Sequence, residues 1–450
     1  MNVTEVLSAA KNAGITFYLE QNKLAFKAPK GAFTPELKKQ VLLVKEELVE
    51  LLSQLSSLNS GPKALTLTRA PLSREQTSQF ALYAKAPKAS TYHIAMPIKI
   101  GNKVSSEQLV QCLELLLAKH AAFRTKIEIS SDGLFQVIHP AEQWPIYIEP
   151  AVGTYGTWAK RCFEREFNLE QAFPYRIHIT VDEDHNHIVL LIVHHIIFDG
   201  WSAVILVKEF DDCLARVLGQ NPGFELTKTL TYLDYSQWQY SEEGDKSLKQ
   251  GIAFWKKHLV SAKVQHGLPK IASSIHSGGD RQDFEIPGAV SREINSLAKT
   301  YHVTPFVIFH SVFAIVLGKF SSCSDVLIGV PVANRTWQQV ENVIGNFVNS
   351  IPTRCKWGEG DTFTQLLANR KNEYQQELAH QSVPLEDIVK DTIGLTKNSA
   401  HPLFQVMFSF QNNAEVISRT NLVSQGPFKM DISSTKFDLQ LDIRSRGAAY

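Results

Sequence analysis

Two adjacent imidazoles, His194 and His195, are followed by a carboxylate at Asp199 and then by Gly200, Trp201 and Ser202. An imidazole titrates near neutral pH, so in a cavity it can take a proton from an attacking nucleophile or orient that nucleophile by a hydrogen bond. A nearby carboxylate can fix the loop without entering the reaction. Three uses of the pair stay open on these residues alone: a packed core pair, a zinc site, or acid–base chemistry.

The side chains must be placed by what flanks them. Ile188 to Val193 reads I-V-L-L-I-V, the continuous apolar run of a strand buried on both faces, and it stops at His194. Successive strand residues point to opposite faces, so the two histidines are expected to part, one packing in the core and the other open to chemistry. Asp199-Gly200 is a turn signal, and Ser202 is the expected N-cap of a helix from Ala203 to Leu218.

A chain of 450 residues exceeds one ordinary core and suggests two or three domains. No apolar run approaches the roughly 20 residues of a membrane span, and no basic-then-apolar leader opens the chain. No membrane association and a cytoplasmic location are therefore expected. Lys and Arg (46) balance Asp and Glu (45), which leaves no global field for nucleic acid.

Cys112, Cys162, Cys213, Cys323 and Cys355 are scattered, which argues against a disulfide framework or a cysteine-rich metal site. His185 and His187 form H-x-H beside the turn Asp182-Glu183-Asp184, with no third ligand suggested, so no metal is expected. A nucleotide-binding G-x-x-x-x-G-K-[ST] loop and a G-x-S-x-G elbow are both missing.

Residues 1–55 read as a helix from Val3 to Asn12, strands Ile15 to Leu19 and Leu24 to Phe26, and an amphipathic helix from Glu36 to about Leu55 opened by Thr34-Pro35. From Gln21 to Lys45, six lysines (Lys23, Lys27, Lys30, Lys38, Lys39 and Lys45) face one acid, Glu36. A basic face beside an open hairpin edge can receive an acidic peptide as an added strand. Residues 56–70 are rich in Ser, Gly and Pro and read as a linker.

The order H-H-x-x-x-D-G after a buried strand resembles the active-site motif of nonribosomal peptide synthetase condensation domains, members of the chloramphenicol-acetyltransferase-like superfamily. Six further stretches resemble that family's motifs in order. They are Pro71-Leu72-Ser73 with Gln76, Lys119 to Thr125, Tyr232 to Gln239, Ile344 to Asn349, His380 to Glu386, and Pro402 to Phe408. Ser78-Gln79-Phe80 and Leu385 depart from the usual pattern. The front module, with G-I-x-F-x-L-x-x-x-x-L, resembles the tubulysin-type N-terminal docking domains.

The resemblance implies an α+β chain: a small α-β-β-α docking module, then two chloramphenicol-acetyltransferase-like lobes in a V, over 71–240 and 241–450, with the charged stretch Ser241 to Lys249 at the boundary. Family members run several tens of residues beyond Phe437 to Leu441, so a truncated or partial chain is expected. His195 would be catalytic. His194, Asp199, Gly200 and Arg335 would be structural, with Arg335 paired to Asp199, and Trp201 and Asn349 would line or brace the channel. Arg124 would be an ion-pair partner, and the lysines Lys23, Lys27, Lys30, Lys38 and Lys39 would face the docked peptide.

The implied reaction joins a donor acyl thioester to an acceptor amino acid, each on the phosphopantetheine arm of a carrier protein, with no cofactor held by this segment. The stretch His194 to Ser202, H-H-I-I-F-D-G-W-S, resembles the class that joins L-donors to L-acceptors. Implied partners are the C-terminal tail of an upstream subunit, both carriers and a downstream adenylation domain. A coenzyme-A dependent acyltransferase and a non-catalytic recruitment domain are the competing readings.

Overall fold

A computed structural model describes residues 6, 10, 15–20, 23–28, 33–45, 48–49, 61–140, 144–220, 230–264, 267–268, 279–392, 403–411, 422–425, 437–445 and 449–450. The chain divides into two compact units, Met1–Gly61 and Pro62–Tyr450.

In the first unit, β1 (Thr16–Glu20) and β2 (Lys23–Lys27) form an antiparallel hairpin in which Phe17 faces Phe26. The helix Pro35–Leu43 starts where Thr34 Oγ1 accepts the Leu37 N–H and Pro35 presets the first turn. Val6, Ala10, Ile15, Phe17, Leu37, Val41, Val44 and Leu48 share a thin core. The expected first helix is described only at Val6 and Ala10, and Lys30, the helix end near Leu55 and linker residues 56–60 lie outside the described residues.

The large unit carries β3 (Arg69–Pro71), β4 (His93–Ile100), β5 (Thr125–Ser130), β6 (Gly133–Ile138), β7 (Ile146–Ile148), β8 (Tyr175–Val181) and β9 (His187–His194) in its first half. Its second half carries β10 (Asp325–Val332), β11 (Asn349–Lys356), β12 (Val406–Gln411), β13 (Val423–Gln425) and β14 (Leu439–Arg444). Three sheets result, ordered β3-β6-β5, β13-β4-β9-β8-β7 and β11-β10-β12-β14. The apolar run before the histidines is the central β9, buried at every residue, as the unbroken pattern requires.

The helices Ser106–Lys119 and Gly200–Val217 pack into the first core with Trp158 of the helix Tyr155–Glu164. A second core gathers the helices Pro305–Ser321 and Phe363–Ala379 on the last sheet. Among the described residues no single helix is long and apolar enough to cross a membrane.

The sequence reading needs four corrections. Arg69 and Ala70, expected as linker, pair with β6, and Leu65 N–H is held by Asp234, so the late linker belongs to the large unit. Residues 242–249, expected as a boundary, open the helix Glu242–His258, because Ser241 caps it and Glu242, Glu243 and Asp245 suit its N-terminal end. The halves are also not cleanly divided at residue 240, since β13 crosses back to pair with β4. Arg124 makes no ion pair among the described residues; Glu209 is taken instead by Lys119 at 3.0 Å and His120 at 2.7 Å.

Candidate active site

β9 ends at His194, and the two histidines part there. His194 is buried, its Nδ1 accepts the Ile196 N–H at 3.1 Å, and Tyr83, His93 and Phe167 surround its ring. His195 opens a 3-10 turn, His195–Ile197, and is half-buried. From behind, Gln76 Nε2 donates to the Ile196 carbonyl at 3.1 Å. Gln76 is itself fixed by a reciprocal capping box with Ser73, so the opening motif of the large unit supports the histidine turn.

Asp199, not Ser202, is the N-cap of the next helix, which runs Gly200–Val217. Its Oδ1 accepts the Ser202 N–H at 2.7 Å, and an Asp three residues ahead of a free donor competes for the cap as well as Ser does. The same carboxylate accepts the Phe347 N–H at 3.0 Å and Arg335 Nη2 at 3.1 and 3.2 Å. Arg335 also donates to the carbonyls of Val340 and Val343, and its ring neighbour is Phe347 at 4.1 Å. Both members of the ion pair are 2% exposed. Burial pulls the guanidinium below its usual range while Asp199 pulls it back.

Gly200 is exposed, has no left-handed backbone requirement, and a Cβ there would meet nothing within 4 Å. No steric demand of the fold therefore calls for glycine at this position. Trp201 is 47% exposed, but its Nε1 donates to the Glu341 carbonyl at 2.9 Å. Asn349 is buried, and its Nδ2 donates to the carbonyls of Gln381 and Val383, so it braces the second half. Trp201 and Asn349 are thus both ties between segments.

Sequence reasoning passed over a polar cluster on the helix Tyr232–Gln239. Gln239 Nε2 donates to both oxygens of buried Glu75, Tyr235 Oη donates to it at 3.3 Å, and Ser236 Oγ donates to the Pro71 carbonyl. Tyr235 and Tyr232 also pack with Trp337 and Phe347 from the second half. Burial, offset by hydrogen bonds, pushes the Glu75 carboxyl up to about 7. A raised carboxyl pKa means the folded state holds the proton longer than the unfolded chain, so stability falls as pH rises from the ordinary glutamate range through 7. Unfolding free energies from urea titration at pH 5 and pH 8 are expected to differ by ~2 kcal/mol more in the parent than in Glu75→Gln.

His187 Nε2 is hydrogen-bonded to Ser106 Oγ at 3.0 Å, and His185 lies in a left-handed turn. Among the described residues the donor atoms close enough to share a cation are those of Glu149, Cys162 and His178. Glu149 there accepts from His178 Nδ1 at 2.9 Å and from Trp158 Nε1 at 3.4 Å, and burial pushes the Cys162 thiol up to about 11, which disfavours the ligating thiolate.

A strand-end histidine, two α/β halves and a buried Asp–Arg tie between them define a chloramphenicol-acetyltransferase-like acyl-transfer fold. Residues 67–449 match the condensation domain and residues 3–54 match the TubC N-terminal docking domain. The chain belongs to the condensation-domain family, with a docking domain at its front.

Bacitracin synthase 2 of Bacillus licheniformis is 26% identical over 98% of this chain and 17% of its own length. One linear gramicidin synthase subunit of Brevibacillus parabrevis is 27% identical over 91% of this chain and 8% of its own. The chain therefore spans a small part of these relatives. By fold it is similar to a four-domain nonribosomal peptide synthetase solved with AMP and glycine, with a TM-score of 0.69 and 19% identity over 87% of this chain and 31% of that one. The X-domain from teicoplanin biosynthesis gives 0.71 and 20% over 86% and 88%.

Proposed function

We propose that this chain forms the amide bond between two carrier-borne substrates in a nonribosomal peptide synthetase. The acceptor amino group attacks the donor thioester carbonyl, the C–S bond breaks, the thiol stays on the donor arm, and the lengthened acyl chain ends on the acceptor arm. His195 orients the attacking amine or accepts its proton. A thioester is already activated, so holding the two arms in register supplies much of the rate. Asp199 and Arg335 hold the turn, His194 anchors it in the core, and Gly200 leaves room for the arms. The segment holds no cofactor of its own, works in the cytoplasm of a bacterium, and joins an L-donor to an L-acceptor. A downstream adenylation domain supplies the acceptor.

The observation that carries this reading is His195, half-buried at the end of a fully buried strand, on a turn locked at its far end by Asp199 and Arg335. The room at Gly200 gives the test. A Cβ at position 200 meets nothing within 4 Å and the site is exposed, so the melting temperature of Gly200→Val is expected to stay within about 2 °C of the parent. Product formation from loaded carriers is expected to fall at least tenfold. An unimpaired Gly200→Val enzyme would mean that the arms do not pass there.

The front unit binds the acidic C-terminal tail of the upstream subunit. Support comes from exposed Lys27, Lys38 and Lys39 in the unit whose sheet has two strands, β1 and β2, among the described residues. Lys23 lies on the same hairpin. Lys38→Glu with Lys39→Glu is expected to weaken binding of an acidic peptide by about tenfold at low salt, and less at high salt, by fluorescence anisotropy. Equal affinity for the parent and the variant would remove the lysines from the docking surface.

A further inference from the structure

Ser202 Oγ is buried and saturated. It donates to the Gly345 carbonyl at 2.9 Å, accepts the Gly345 N–H at 3.1 Å and accepts Arg335 Nη2 at 3.1 Å. One hydroxyl has one donor and two lone pairs, so all of its capacity is used. All three partners come from the second half of the large unit, whereas Ser202 sits in the first turn of the helix that follows the His195 turn.

The same turn sends two more bonds across. Asp199 takes the Phe347 N–H, and Trp201 Nε1 reaches the Glu341 carbonyl. The segment is gripped from its other side as well: Tyr232 Oη donates to the Asn346 carbonyl at 2.5 Å, and a Cβ on Gly345 would overlap the Tyr232 ring. Two residues on, Asn349 begins β11, an edge strand of the second half's sheet. Residues 345–347 are therefore one of the places where that sheet is tied to the His195 turn.

We propose that Ser202 is a positioning residue for the condensation reaction: it fixes segment 345–347, and through it the second half, in register with His195. The proposal rests on the reading of His195 as the reacting histidine. Ser202 touches neither substrate. It acts through the Gly345 backbone and Arg335, and its removal strands two backbone groups in a buried place and takes one of three acceptors from Arg335 Nη2.

The test is Ser202→Ala in the chain with donor and acceptor carriers, with His195→Ala run alongside. Hydrogen–deuterium exchange of the peptide covering residues 343–348 is followed by mass spectrometry, and kcat and KM for the loaded acceptor carrier are measured. The expected result is faster exchange confined to that peptide, a kcat at least tenfold lower and an unchanged KM. Ser202→Cys, which keeps the shape and weakens the bonds, is expected to fall between the parent and alanine, and it carries the test if the alanine variant does not fold.

Unchanged exchange at 343–348, exchange accelerated across the whole chain, or local loosening with the parent kcat would each overturn the proposal. Full product formation by His195→Ala would instead overturn the underlying reading, whatever Ser202 does.

Discussion

Arg335→Ala is expected to cost ~3–5 kcal/mol of stability, the range found when one partner of a buried ion pair is removed. The loss has three sources. Asp199 loses two of its hydrogen bonds at a buried position, the Val340 and Val343 carbonyls lose their donor, and the guanidinium leaves a cavity beside Phe347. Against a total stability of roughly 5–15 kcal/mol this is a large fraction. Urea unfolding checks it, and the double variant Asp199→Ala, Arg335→Ala is expected to cost less than the two single changes added together. A loss under about 1 kcal/mol would place the pair in the class of exposed ion pairs, contrary to its burial.

His195→Ala is expected to lower the rate of amide formation by ~10²- to 10⁴-fold, the usual contribution of a positioned acid–base group. Its melting temperature should move little, because the residue is only half-buried and lies on a turn beyond the end of β9. His194→Ala is expected to behave in the opposite way. That ring is 2% exposed, packed among Tyr83, His93 and Phe167, and accepts the Ile196 N–H, so its loss should cost ~1–3 kcal/mol and weaken activity only through the turn it supports. Side-by-side melts and rates for the two variants separate a reacting histidine from a supporting one.

Local pattern carried much of the fold. An unbroken apolar run bounded by His194 marked β9, and Thr34-Pro35 marked the opening of the helix Pro35–Leu43. The helix start was misplaced because Asp199 and Ser202 are both good caps, and only the geometry of the Ser202 N–H decides between them.

What the sequence hid are contacts between distant residues. Ser202 meets Gly345 across 143 positions, Trp201 meets Glu341 across 140 and Gln239 meets Glu75 across 164. No spacing rule reaches that far. The Asp199–Arg335 pair was foreseen only through resemblance, and the same reasoning misled at Arg124, where Lys119 and His120 hold the acid instead. Ser73 and Gln76 were legible only as part of a family motif; neither their capping box nor the onward bond from Gln76 to Ile196 was.

The most direct test of the central claim is the mass of the acceptor carrier. The chain is mixed with a donor carrier bearing an aminoacyl thioester and an acceptor carrier bearing an amino acid thioester, and the intact carriers are weighed by mass spectrometry over time. The acceptor is predicted to gain the mass of the donor acyl group while the donor returns to its free thiol, and neither change should occur without the chain. If both carriers keep their starting masses while a known condensation domain transfers the same donor in parallel, amide formation is not this chain's activity and a recruitment role takes its place.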